Sequence, residues 1–408
     1  MKLLIFAHTP PPHHGQSYMV KLMLDGFGGD CRNGAKGGAN GFGIECHHVN
    51  ARFSRTLEDV GEFHGWKMIL VLFYCLQAIW YRYRYQVKTF YYVPAPGKAV
   101  ALYRDWLVML LCRPFFEKII LHWHAAGLAK WLETSVQIRS RALTYRLFKP
   151  VALSIVLSNY NLADAKKLLS RQIRVVSNGI PDPCPNFAET ILPRRRDRFL
   201  VRKQLAAGAT PVDYSSSHTG DDPHVVRVLY LAHCTREKGL FAAMEGIAAA
   251  NRDLVASKSP LRMKLFVAGN FVTANEQFEF ERMIKTPEYA NSVEYLGFIS
   301  DAKKEQALRD ADLFCFPTQY LGENQPVNLI EAMAFGLPVV TTQWRSLPEM
   351  FPPDYPGLVR GQSAQEIADA LFVLTTQKTG EQLRENFLRH FTLERHLASL
   401  AEAIRSTE

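Results

Sequence analysis

Glu323 and Glu331 stand eight positions apart in Glu323-Asn-Gln-Pro-Val-Asn-Leu-Ile-Glu331, which runs on into Ala-Met-Ala-Phe-Gly336-Leu-Pro338-Val-Val340. Ionised carboxylates accept hydrogen bonds, so a pair at this spacing could meet a sugar hydroxyl through one member and a ribose through the other. The same residues also fit a charge near a helix start and an ordinary solvated glutamate. Ala311-Asp-Leu-Phe-Cys-Phe-Pro317 before them reads as a buried strand stopped by proline. Leu329 to Phe335 reads as a short helix closed by Gly336, with Pro338 just beyond. Glu323 is thus expected in the loop after a strand, and Glu331 within or near the start of the next helix. In an open parallel sheet that edge is where ligands bind.

Two further junctions suit an anion. Gly15 opens a helix after the first strand, where free N–H groups and the helix dipole favour negative charge. Strand Val228–Ala232 ends in His233-Cys-Thr235-Arg236-Glu237-Lys238-Gly239, which places Arg236 and Lys238 where cations could neutralise a pyrophosphate leaving group. A basic surface turn would read the same way. His122 and His124 end another strand, and no third metal ligand is evident beside them. Asp310-Ala-Asp312 has the form of an Asp-x-Asp metal motif, but its place at a helix end entering a buried strand favours a structural role. No Gly-x-x-x-x-Gly-Lys loop, no Gly-x-Gly-x-x-Gly after a strand and no Gly-x-Ser-x-Gly elbow occurs.

The elements that must position these residues alternate between strand and helix along 408 residues, enough for two domains. Strands are expected at Leu3–Ala7, 43–49, Thr89–Val93, Lys118–His122, Ser154–Leu157 and Arg174–Val176. A second set follows at Val225–Ala232, Met263–Ala268, Val293–Leu296, Leu313–Phe316 and Pro338–Thr341. Helical segments lie between most of them, none being read between Met263–Ala268 and Val293–Leu296, and the last runs from about Leu393 to Ile404. The expectation is an α/β chain of two doubly wound parallel sheets facing a cleft. Residues 1–185 form a first domain, 186–224 a linker with a surface insertion and 225–390 a second domain, and 391–408 form a terminal helix. The run Pro193-Arg-Arg-Arg-Asp-Arg198 in the linker reads as a solvated face.

A hydrophobic share of 48% with 21% charged residues is globular, and the net charge of +9 favours an anionic partner. Seven scattered cysteines, never paired as Cys-x-x-Cys, suggest neither a disulfide framework nor a zinc site, and a reducing cytoplasm fits them. The opening Met-Lys-Leu-Leu-Ile-Phe-Ala has too short an apolar run for a signal sequence and reads as a buried strand. Met68 to Trp80, followed by Tyr81-Arg-Tyr-Arg-Tyr85, is shorter than the roughly 20 apolar residues a spanning helix needs. It reads as a core helix with a basic end or as an interfacial segment whose arginines face lipid phosphate.

Taken in order, these landmarks resemble the retaining nucleotide-sugar glycosyltransferases of family 4, which have the GT-B fold of two Rossmann-like domains. The resemblance rests on Gly15, His124, Ser158, Ser177-Asn178-Gly179-Ile180, Lys238-Gly239, Gly269, Leu296-Gly297, Asp312 to Pro317 and, most specifically, the glutamate pair with Glu-Ala-Met-Ala-x-Gly-Leu-Pro-Val-Val. It implies that Glu323 orients the donor sugar and that Glu331 binds the ribose hydroxyls. It also implies that Lys238, with Arg236, holds the diphosphate. Backbone groups at Gly15 and from Asn324 through Gln325 and Pro326 to Val327 would complete that cradle, and His124 would contact the transferred sugar. No cofactor or metal is implied.

Two departures stand out. The family usually has arginine five residues before the lysine, where this chain has His233, and its usual Gly-Phe-Gly after the first glutamate is Asn324-Gln325-Pro326. Proline cannot donate a backbone hydrogen bond, which turns attention to the Asn324 and Gln325 side chains. The expected function is metal-independent, retaining transfer of a sugar from a nucleotide diphosphate to a saccharide or lipid-linked saccharide acceptor in surface polysaccharide or lipopolysaccharide biosynthesis. The expected location is cytoplasmic, with peripheral contact to an anionic membrane at the inner face of the plasma membrane, and no nucleic-acid module is recognised. The competing reading is a catalytically inactive GT-B nucleotide- or polyanion-binding protein. Acceptor choice is expected in the loops 26–43 and 52–66.

Overall fold

The computed structural model describes all residues except 12–14, 34–40, 54–64, 95, 169, 209–221 and 378. Residues 34–40 of the first expected acceptor loop and 54–64 of the second lie outside the described residues. The chain divides into two compact units. One is Met1–Pro181 with Leu321–Val327 and His390–Glu408, and the other is Asp182–Tyr320 with Asn328–Arg389.

The first unit is built on Lys2–Ala7 (β1), Glu45–Asn50 (β2), Thr89–Tyr92 (β3), Lys118–Trp123 (β4), Val151–Val156 (β5) and Ser170–Val175 (β6). All pairs are parallel and the order is β2-β1-β3-β4-β5-β6. Near-continuous burial of β1, β3 and β4 is what a sheet covered on both faces requires. One face packs Phe6, Phe90, Leu121 and Val156 against helices Gly65–Arg84 and Ala99–Cys112 through Val71, Cys75, Val108 and Met109. The other packs Leu3, Ile5 and Tyr91 with Val20 and Met23 of helix Gly15–Gly26 and with Leu397, Leu400 and Ile404 of the last helix, Leu393–Arg405.

That last helix is held by backbone as well as by core. Ile180 N–H donates to Phe391 O (2.9 Å) and Leu393 N–H to Ile180 O (2.8 Å). Gly179 is required there, because a Cβ would lie 2.3 Å from Thr392 O. His396 Nδ1 is 2.7 Å from Ser177 O, and burial lowers the imidazole pKa to about 4 against the opposing effect of that hydrogen bond.

The second unit contains Val225–Leu231 (β7), Arg262–Ala268 (β8), Val293–Gly297 (β9), Leu313–Phe316 (β10), Val339–Thr342 (β11) and Leu358–Val359 (β12). These are again parallel, ordered β12-β11-β10-β7-β8-β9. Two helices absent from the sequence reading, Ala274–Met283 and Thr379–His390, flank it. The first had a local signal. Thr273 Oγ1 accepts from Glu276 N–H (3.3 Å) and donates to Glu276 Oε2 (2.8 Å), a side-chain N-cap legible in Thr-Ala-Asn-Glu.

The expected linker requires correction. Residues 182–208 carry helices Phe187–Thr190 and Leu192–Ala206 and belong to the second unit. Its arginines are not uniformly a solvated face: Arg196 is exposed beside Glu381, but others turn inward. Arg198 and Arg202 are buried on Asp312 at 2.9 and 2.6 Å, and Arg194 meets Asp310 at 3.0 Å. The pairs form because β10 starts beside a helix whose inward face carries Arg194, Arg198 and Arg202 at four-residue spacing. Asp310 and Asp312 are thereby committed to guanidinium groups.

Candidate functional site

The two sheet orders fix where ligands can meet each unit. In the second sheet, connections run outward from β7 through β8 to β9 and from β10 through β11 to β12, so β7 and β10 flank the topological switch point. Loops leaving their carboxyl ends diverge and leave a crevice, the usual ligand position in open α/β sheets.

The loop after β7 carries His233, Arg236 and Lys238. Gly239 closes it in a left-handed conformation (φ 85°), and a Cβ there would sit 2.3 Å from Pro317 O, so only glycine lets this loop lie against the one after β10. Gln319 N–H donates to Glu237 O at 2.8 Å and fixes the same contact. The Lys238 ammonium is thereby held 4.4 Å from the Tyr320 ring centroid, a cation–π distance. His233 is largely buried, and burial together with the charge of Lys238 lowers its pKa, keeping the ring neutral. Arg236 turns to Glu279 (2.6 Å) and lies over the Phe241 ring (4.5 Å), while its backbone N–H donates to Glu276. The Arg236 side chain is exposed, so this ion pair is a weak restraint.

Helix Val327–Ala334 follows β10, and Asn328 Nδ2 ties its first turn to Leu231 O of β7 at 2.8 Å. Glu331 lies on this helix and receives Lys304 Nζ at 2.5 Å. Lys304 was not singled out from sequence; it lies 27 residues from its partner, on helix Asp301–Asp310.

Glu323 lies in the first unit's share of the chain, within Leu321–Val327. Its two neighbours hold that segment. Gln325 Nε2 donates to Leu157 O (2.7 Å) and Ser177 Oγ (3.3 Å). Asn178 donates its N–H to Gln325 Oε1 (2.9 Å) and its Nδ2 to Gln325 O (3.0 Å). Asn324 Nδ2 donates to Trp123 O (3.5 Å), and Ser158 Oγ donates to Asn324 Oδ1 (3.3 Å). These partners follow the carboxyl ends of β4, β5 and β6, so two amide side chains bridge three strand ends. Both are buried, and their polar atoms are engaged in a clasp on the loop.

The clasp continues to His124. Asn161 Oδ1 shares the Ser158 hydroxyl proton at 3.1 Å, and Asn161 Nδ2 donates to Asp164 Oδ2 (3.2 Å). Asp164 accepts from Gly127 N–H (2.9 Å) and Ala129 N–H (2.6 Å), anchoring the loop that follows His124. The His122 ring centroid is 4.2 Å from that of His124. His122 is buried with Nδ1 hydrogen-bonded to the Tyr91 hydroxyl. Burial, then repulsion from His124 and His396, drives its pKa well below the ordinary value. His122 therefore supports His124 as a neutral ring. Among the described residues no group of three or more histidine, cysteine or acidic side chains is placed to hold a metal ion. Gly15 begins helix Gly15–Gly26 after β1, and a Cβ there would sit 3.6 Å from Val327 Cγ2.

The clasp gives a first expected result. Gln325→Glu keeps size and the acceptor for Asn178 but sets a carboxylate against Leu157 O. Losing a buried donor of this kind costs about 1–3 kcal/mol. Urea unfolding should show that loss, and hydrogen exchange should show faster exchange confined to residues 321–327.

Comparison with known proteins agrees with this geometry. Residues 220–389 match the family model "Glycosyl transferases group 1". A putative colanic acid biosynthesis glycosyltransferase, WcaL, of Escherichia coli K12 is 29% identical over 197 residues, 44% of this chain and 45% of that protein. A phosphatidyl-myo-inositol mannosyltransferase of Mycobacterium leprae is 36% identical over 114 residues, 28% and 27% of the two chains. The alignments thus span about half or less of these relatives' lengths. Among solved structures, Anabaena HepE in complex with UDP superposes with a TM-score of 0.62 at 16% identity, covering both chains in full. A sucrose-phosphate synthase of Thermosynechococcus elongatus gives 0.66 at 16% identity over 100% and 99% of the two chains. The chain has the two-domain GT-B fold, and its residues 220–389 match the group 1 glycosyl transferases.

Proposed function

We propose that this protein transfers a sugar from a nucleotide-diphosphate donor to a saccharide or lipid-linked saccharide acceptor, in the making of a surface polysaccharide or lipopolysaccharide. The observation that carries the reading is the switch point of the second sheet. There the Lys238 ammonium and the helix bearing Glu331 leave adjacent strands inside the segment that matches the group 1 glycosyl transferases. HepE binding UDP and WcaL acting in colanic acid synthesis support the donor and acceptor classes.

In this reading Lys238 and the first N–H groups of helix Val327–Ala334 neutralise the diphosphate as the glycosidic bond breaks. Glu331 accepts the ribose hydroxyls while Lys304 fixes its rotamer. Arg236 can join the clamp by exchanging Glu279 for a phosphate, since an exposed pair costs little to break. Glu323 positions the donor sugar, and His124 contacts it. Retention follows when the acceptor attacks from the leaving group's own face and the departing phosphate takes its proton. The reaction proceeds without a metal, in keeping with the commitment of Asp310 and Asp312 to arginines.

The test is release of nucleoside diphosphate from a panel of nucleotide sugars, with and without EDTA. One donor should be turned over at a rate EDTA leaves unchanged. Release from none of them would favour a nucleotide-binding protein without activity, and full inhibition by EDTA would remove metal independence. A cytoplasmic place belongs to the same proposal.

A further inference from the structure

Helix Gly65–Arg84 has two apolar faces. Val71, Cys75, Ala78 and Tyr81 point into the core of the first unit and are buried. Ile69, Leu72, Phe73, Leu76, Trp80 and Tyr83 form a second stripe at helical spacing and stay exposed, with Ile69 68%, Leu76 67% and Trp80 56% accessible. A helix on a water-facing surface normally carries polar residues there. Phe115 extends the patch, its ring centroid 6.3 Å from that of Tyr83. Large exposed apolar patches of this kind mark interaction surfaces.

Charge identifies the occupant. The helix contains no acidic residue, Lys67 lies near its start, and Arg82 and Arg84 lie in its last turn. Between residues 65 and 149 the chain has thirteen lysines and arginines against three acidic residues, an excess of ten. The rest of the chain carries thirty-five against thirty-six. The whole positive balance of the protein therefore lies in the segment that begins with this helix. The excess of ten already counts its three acidic residues, of which Asp105 is buried against Arg104 (2.9 Å), Glu117 pairs with Lys88 (2.8 Å) and Glu133 pairs with Lys167. No helix among the described residues is long and apolar enough to cross a membrane, and the inner face of this one is committed to its own core.

We propose that the outer face of helix Gly65–Arg84 docks the protein onto an anionic lipid surface. The helix lies in the plane of the membrane. Ile69, Phe73 and Leu76 enter the acyl boundary, Trp80 and Tyr83 sit at headgroup depth, and Lys67 and Arg84 face lipid phosphate. The inference uses none of the residues assigned to sugar transfer and stands whether or not that reading holds.

The test is flotation of the whole chain with vesicles of phosphatidylcholine alone or mixed with phosphatidylglycerol. The wild type should float with the mixed vesicles, weakly with phosphatidylcholine alone, and less as salt screens the charges. The triple variant Ile69→Ser, Leu76→Ser, Trp80→Ser, with unchanged circular dichroism, should lose about tenfold or more in partitioning. Lys67→Glu with Arg84→Glu should lose the preference for phosphatidylglycerol. Failure of the wild type to float with anionic vesicles, or flotation of the triple variant at the wild-type level, overturns the proposal. A wild type that fails to float but forms a dimer dissolved by the triple substitution would assign the face to a second copy of the chain instead.

Discussion

Lys238→Ala should lower the rate of nucleoside diphosphate release by about 10²–10³-fold, the usual loss when a single charge stabiliser at a leaving group is removed. Three features make the expected effect large. Burial and the nearby ammonium keep His233 neutral. Arg236 is turned away onto Glu279. Lys238 itself is held in place through Gly239 and the Tyr320 ring, so it is preorganised for the anion. Glu323→Ala should cost well over tenfold by a different route, with affinity for the nucleoside diphosphate nearly unchanged, since in the proposed reading the residue addresses the sugar. Steady-state kinetics with titration calorimetry separates the two. Near-normal turnover in both variants would sink the assignment.

The largest expected loss of stability comes from Asp312→Ala. Burial alone would raise the Asp312 pKa, but the guanidinium groups of Arg202 and Arg198 outweigh it and hold the carboxyl below its ordinary value. Its remaining contact, Arg227 N–H donating at 2.7 Å, ties the start of β10 to β7. Removing the carboxylate leaves two buried guanidinium groups uncompensated, at a cost of about 3–5 kcal/mol in urea unfolding. Asp310→Ala, which breaks the more accessible pair with Arg194, should cost about 1 kcal/mol or less. The pH dependence follows from the depressed pKa. Stabilisation by Asp312 is complete above the ordinary value of 3.8 and is lost as pH falls through the lower folded value. The variant should accordingly flatten the acid limb of the stability profile.

How much was legible beforehand depended on how far apart the interacting residues lie. Leu313–Phe316 was read with its observed bounds, because an apolar run and a flanking proline are local signals. Leu192–Ala206 was missed and its arginines were read as solvated. The partners that remove them from water, Asp310 and Asp312, lie more than a hundred residues away. Asn324 and Gln325 could be singled out as unusual, but not as a clasp, because their partners are 147 to 201 residues upstream. No local pattern encodes a hydrogen bond at that separation.

By itself, the sequence determined the alternation of strands and helices, the place of Glu323 and Glu331 after a strand, and the glycines and basic residues at strand ends. Each depends on backbone preferences or side-chain periodicity within a few residues. The tertiary structure alone decided which cations are committed elsewhere, which histidine is neutral and buried, and which side chains hold the glutamate loop. It also decided that an apolar helix keeps one stripe exposed beside the protein's excess positive charge. Those outcomes depend on burial and on partners brought together by sheet order, and neither is a property of a short stretch of chain.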